Sequence, residues 1–101
     1  MYVAMNRFRV APGREEDFER AWRQRESYLN EVPGFRRFAL LRGEAGEGET
    51  AFVSFSEWET RAAFEAWTES EAFVKAHRGA RMPEGVVLSH PRFEGFGVVE
   101  L

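Results

Sequence analysis

Few side chains in this sequence can do chemistry, and the scarcity is informative. There is no cysteine and there are two histidines, His77 and His90. Thiolate nucleophiles, disulfides, iron–sulfur clusters and cysteine zinc sites are therefore excluded, and a three-histidine zinc site cannot form within one chain. No HExxH, P-loop or G-x-S-x-G pattern occurs, and Gly95-Phe96-Gly97 lacks the third glycine and the following helix of a dinucleotide fingerprint. His77 stands four residues after Phe73 and three after Val74, which puts it on the inner or flanking side of a helix. An imidazole there is either a hydrogen-bonded helix residue or a metal ligand. Asn6 interrupts an apolar strand face. A buried amide left without partners costs roughly 1–3 kcal/mol, so protein, water or a ligand must satisfy it. Trp67, three residues after Phe64, reads as core. Arg25 shares the apolar spacing of Trp22 and Leu29, so it either snorkels outward or pairs with a buried anion.

The elements that must position these residues are readable from periodicity. Tyr2 to Val10 alternates as a strand, with Tyr2, Ala4, Asn6, Phe8 and Val10 on one face. After a turn at Ala11-Pro12-Gly13, a helix is predicted from Arg14 to about Glu31. Its acidic residues Glu15, Glu16 and Asp17 complement the N-terminal dipole, and Pro33-Gly34 stops it. Strands follow at Phe35–Arg42 and Thr50–Trp58, joined by a polar loop from Gly43 to Glu49. Thr60 and Ser70 are plausible N-caps of two short helices, the first carrying Ala63, Phe64 and Trp67, the second Phe73, Val74, Ala76 and His77. Gly79 to Gly85 reads as a loop, and Phe93 to Leu101 as a last strand. The order β-α-β-β-α-β indicates an α+β ferredoxin-like sandwich, an antiparallel sheet with helices on one face. Apolar residues nevertheless occur at both parities, Val53 and Phe55 against Phe52 and Trp58. That double-sided pattern predicts a homodimer through the uncovered sheet faces.

The chain has 101 residues, enough for one domain (1–101), and 44% of them are apolar and 31% charged. Its net charge of −3 argues against nucleic-acid binding. No apolar run approaches the roughly 20 residues of a membrane span. A cytoplasmic protein is expected. The thirteen arginines to one lysine, Lys75, read as composition bias.

The run Trp58-x5-Phe64-x2-Trp67-x2-Ser70-x2-Phe73-x2-Ala76-His77, preceded by Val32-Pro33-Gly34-Phe35, resembles the small haem-degrading monooxygenases of the antibiotic-biosynthesis-monooxygenase (ABM) superfamily, the IsdG type. The resemblance extends from Asn6 to Arg81. It implies an Asn/Trp/His haem site filled here by Asn6, Trp67 and His77. His77 would be the axial iron ligand, Trp67 would press the macrocycle out of plane, and Asn6 would donate a hydrogen bond near the distal ligand. Trp22 and Arg25 match an aromatic–x2–Arg pair that lines the pocket and approaches a propionate, with Phe64 as a further apolar contact. Arg81 matches a position that is often basic, though its first reading is structural.

Under this resemblance haem is both substrate and cofactor, O2 is the oxidant, and electrons come from an external reductase or small reductant, since the chain has no flavin or nicotinamide motif. Trp22 departs from the Phe found in many members, which changes the pocket wall, and the last strand carries no diagnostic residue. Two other functions remain compatible with these residues. One is a cofactor-independent oxygenase of a small aromatic or quinol substrate, which would leave His77 without iron. The other is a non-catalytic dimeric haem-binding or stress protein.

Overall fold

The computed structural model describes residues 1–25, 28–79 and 81–101. The strands are β1 (Tyr2–Val10), β2 (Phe35–Gly46), β3 (Glu49–Trp58) and β4 (Arg92–Gly97), and the helices are α1 (Glu15–Arg23), α2 (Arg61–Thr68) and α3 (Glu71–Gly79). The antiparallel sheet has the order β2-β3-β1-β4, the ferredoxin-like arrangement that the sequence predicts. Helices lie on one face because only the even-numbered residues of β1 meet them. Phe8 packs against Phe18 and Trp22 of α1, and Tyr2 against Phe64 of α2.

The core sits at two places on that covered face. At one end Val10, Phe18, Phe52 and Val86 form a fully buried cluster. Glu15 anchors α1 there by accepting a 2.7 Å hydrogen bond from the buried Thr50 hydroxyl. At the other end the completely buried Trp58 is packed by Phe35, Phe64 and Trp67. On the opposite face the register aligns Val3, Met5, Val53, Phe55, Ala39, Leu41 and Phe96, and Leu41 and Phe96 are exposed.

Four boundaries differ from those the sequence predicts. α1 ends at Arg23 rather than near Glu31; of the expected helical residues, Glu26 and Ser27 lie outside the described residues. Tyr28 then takes a left-handed φ of 57° and Leu29–Glu31 forms a 3-10 turn, so Leu29 is buried by a separate turn and not by a continuing helix. The expected loop from Gly43 to Glu49 is mostly paired strand, closed by a turn at Glu47-Gly48. Polar composition hid it, since an outlying ladder uses backbone groups and needs no apolar face. β4 spans Arg92–Gly97 and stops short of the expected Leu101, and beyond it the Val98 N–H still bonds the Met1 carbonyl at 2.8 Å. In the segment expected as a loop from Gly79 to Gly85, Gly79 closes α3 and Ala80 lies outside the described residues.

Candidate functional site

α2 and α3 hold Trp67 and His77 in a fixed relation through two serine/threonine caps. The Thr60 hydroxyl accepts from the Ala63 N–H at 3.0 Å and starts α2. Ser70 joins the two helices: its Oγ donates to the Trp67 carbonyl at 2.6 Å and accepts from the Phe73 N–H at 3.2 Å. Gly34, with φ +82°, presses the chain against α2 so closely that an added Cβ would lie 2.5 Å from the Ala63 Cβ. The Trp67 ring lies 5.3 Å from Trp58 and meets Phe73 edge-on at 4.9 Å.

His77 is exposed, and both ring nitrogens have partners whose chemistry fixes the tautomer. Nδ1 lies 2.8 Å from the Phe73 carbonyl, which can only accept, so Nδ1 donates. Nε2 lies 3.2 Å from Nη2 of Arg25, which can only donate, so Nε2 accepts. A neutral imidazole with Nδ1–H tied to backbone and a lone pair on Nε2 is the form a metal ligand requires. The ring sits 3.9 Å from Phe73 and 6.3 Å from Trp67, centroid to centroid.

Arg25 was expected on the face of α1. It lies instead beyond the Gln24 C-cap, where its N–H bonds the Trp22 carbonyl and its side chain folds back over Trp22, 4.6 Å from the ring centroid. Burial lowers its pKa from the ordinary arginine value. It thereby bridges the end of α1 to α3. Trp22 stacks on Phe38 at 5.6 Å, so Phe38 belongs to this wall although nothing in its sequence position marks it.

Asn6 sits mid-strand on the helix-facing side, between Ser54 of β3 and Phe93 of β4. Its carboxamide is not bonded to the backbone across the strands, which was the structural explanation open to it; the side chain has no hydrogen bond among the described residues. Phe64 packs among Tyr2, Trp58, Trp67 and Phe93, stacking on Phe93 at 5.7 Å. It acts as a wedge under Trp67 more than as an open pocket wall. Arg81 is exposed. The indole Nε1 atoms of Trp22 and Trp67 are buried and make no hydrogen bond among the described residues.

Two open clefts flank these residues without including His77. One, of about 420 Å3, is lined by Trp22, Phe38, Leu40 and Phe52 among others. The other, of about 560 Å3, is lined by Tyr2, Thr60, Arg61 and Phe93 among others. Neither holds an imidazole, so donor chemistry and not cleft size locates the site. Among the described residues no cluster of three or more His, Cys, Asp or Glu could hold a metal ion on its own.

A four-stranded antiparallel sheet covered on one face by helices, with an imidazole and aromatic rings on those helices, defines an α+β ferredoxin-like protein. The chain belongs to the antibiotic biosynthesis monooxygenase family, whose model matches residues 1–79. It is 37% identical over 79 residues to a mycobilin-producing heme oxygenase of Mycobacterium tuberculosis, covering 78% of this chain and 72% of that one. The structure of the heme-degrader MhuD from the same organism, with two hemes bound in its active site, superimposes with a TM-score of 0.76. That match is 32% identical and covers 99% of this chain and 97% of the other. The resemblance to IsdG-type haem degraders is thus borne out. A cofactor-independent oxygenase from Streptomyces nogalater, SnoaB, is 20% identical with a TM-score of 0.67, covering 99% of this chain and 94% of the other, and shares the fold alone. No helix among the described residues is long and apolar enough to cross a membrane.

Proposed function

We propose that this protein is a haem-degrading monooxygenase, a single ABM-like domain over residues 1–101 that opens the porphyrin ring with O2 and electrons from an external donor and releases the iron. The observation that carries the reading is His77. Its Nδ1 is committed to the Phe73 carbonyl, and its Nε2 lone pair, beside Trp67, is held only by the Arg25 guanidinium among the described residues. The mycobilin-producing relative and the haem-bound MhuD structure support it independently.

The residues fit the group. His77 would hold the iron through Nε2, and Arg25, freed from that atom, would pair with a propionate. Trp22, Trp67 and Phe73 supply flat apolar surface, and the unbonded Asn6 carboxamide supplies a donor on the sheet floor. When bound, haem supplies the redox chemistry and is itself the material consumed. What this chain contributes is attachment, steric pressure from Trp67 braced against Trp58, exclusion of water, and one oriented amide. The electrons would come from an outside reductant, a reductase or a small molecule, in a cytoplasmic setting. The apolar open face around Phe55, Leu41 and Phe96 supports a homodimer through the sheets.

The test is direct. Hemin added to the protein should give a Soret band characteristic of histidine ligation, and ascorbate should make that band decay. His77→Ala should abolish both, while His90→Ala, altered outside the site, should leave both intact. Unchanged spectra and turnover in His77→Ala would sink the assignment.

A further inference from the structure

The helix-facing side of β3 carries three hydroxyls in alternation with its apolar residues, and they are not used alike. Thr50 donates to Glu15. Ser56 donates to the Ala4 carbonyl at 3.4 Å and accepts from the Trp58 indole at 2.9 Å. Ser54, between them, is 6% exposed and has no hydrogen-bond partner among the described residues. Its hydroxyl is thus committed to no protein group, unlike its two neighbours, and is free to serve a residue beside it.

Its place in the register gives the reason. Ser54 is the direct cross-strand partner of Asn6, the other unbonded polar side chain of the sheet floor. Directly opposed residues have Cβ atoms roughly 4.5–5.5 Å apart, so a serine hydroxyl can reach a neighbouring carboxamide oxygen by a rotamer change alone. The pair also lies under the gap between the helices. Two residues along in one direction, Phe8 and Phe52 pack against α1; four along in the other, Tyr2 and Trp58 pack against α2. The Arg25–His77 contact spans the same two sides.

We infer that Ser54 is a positioning residue for the site. Its hydroxyl donates to the Asn6 carboxamide oxygen once the site is filled, and this turns the amide N–H toward the bound ligand. The inference rests on the haem reading above. An asparagine amide has two orientations of nearly equal shape, and a donor fixed beside its oxygen selects the one that presents N–H.

The experiment uses cyanide as a hydrogen-bond-accepting probe on the hemin-loaded protein, titrated by the Soret shift, with the ligand-free proteins melted in parallel. Ser54→Ala should weaken cyanide binding roughly three- to tenfold, the size of one net hydrogen bond. Asn6→Ala should weaken it at least as much, and the double variant should fall no further than Asn6→Ala. Ser54→Thr, which keeps the hydroxyl, should restore the wild-type value. Ligand-free Ser54→Ala should melt no lower than wild type. Unchanged cyanide affinity in Ser54→Ala, additive losses in the double variant, or a lower ligand-free melting point would each overturn the assignment while leaving the haem reading intact. Wild-type protein without a hemin Soret shift would instead remove the haem reading, and this inference with it.

Discussion

Ligand-free His77 is not idle: Arg25 sits on the nitrogen that iron needs. Replacing Arg25 by leucine keeps an apolar cover over Trp22 and deletes the contact to Nε2. The hydrogen bond at 3.2 Å involves a charged donor, and such bonds contribute about 1.5–3 kcal/mol when shielded. Here the partners are partly or largely exposed, so about 1 kcal/mol is the appropriate figure. The cation–π contact, 4.6 Å from the Trp22 centroid, adds about 0.5–1 kcal/mol. Giving up about 1.5–2 kcal/mol before ligation corresponds to roughly a 10- to 30-fold penalty, at about 1.4 kcal/mol per decade.

Arg25→Leu should therefore accelerate hemin association by about tenfold in stopped-flow traces at the Soret maximum. Electrostatics predicts the opposite sign. Hemin carries negative propionates, so losing a positive charge should slow encounter. Arg23→Leu is the matched control, since it removes the same charge from an arginine whose one polar partner among the described residues is Glu19. Acceleration in Arg25→Leu with slowing in Arg23→Leu identifies release of Nε2 as the limiting event. Equal slowing in both would refute the reasoning. Carbethoxylation of His77, referred to His90 in the same sample, gives a readout without haem: His77 should react faster in Arg25→Leu.

Gly34→Ala should cost at least about 2 kcal/mol in urea unfolding, because it combines a positive φ with a Cβ driven into Ala63. The Glu15 carboxyl is held below its ordinary pKa of 4.5, first by the Thr50 hydroxyl. A depressed acid stabilises the fold above its unfolded pKa and stops doing so as pH falls through the folded value; the melting-point gap between wild type and Thr50→Val should accordingly close below about pH 4.5. Trp67→Phe, which preserves packing on Trp58, should bind hemin normally but slow its ascorbate-driven loss; wild-type decay would reduce Trp67 to a core residue. Light scattering should give a dimer at micromolar concentration, and Phe55→Glu on the open face should give a monomer that still binds hemin.

The sequence carried the strands and the caps well because each rests on local chemistry. Alternation in Tyr2–Val10 shows which face meets the helices, and Asn6 stands out only against that alternation. Thr60 and Ser70 are legible as caps because their hydroxyls answer the adjacent helix N-termini. The end of α1 was not legible. Tyr28 and Leu29 continue the helical spacing from Trp22, yet Leu29 is buried by a 3-10 turn after the backbone reverses at Tyr28. Periodicity reports that a residue must be buried, not which element buries it. That error displaced Arg25, whose meeting with His77 joins residues 52 apart and depends on tertiary placement alone.

The polar groups of the covered face sort by what satisfies them, and that ordering separates fold from function. Thr50, Ser56 and Ser70 are bonded at the ends of elements, where they fasten α1 to the sheet, Trp58 to β3, and α2 to α3. Asn6, Ser54 and the indole nitrogens of Trp22 and Trp67 have no partner among the described residues. The two buried indole nitrogens lower the stability of the ligand-free protein, while the Asn6 and Ser54 side chains make no bond that folding would lose on their removal. A ligand that engages any of them stabilises the native state in proportion to the logarithm of its saturation. Hemin should thus raise the wild-type melting temperature more than it raises that of Asn6→Ala, although ligand-free Asn6→Ala should melt at the same temperature or higher. The crossing of those two orders is what a side chain kept for binding produces. A side chain kept for packing loses stability in both states.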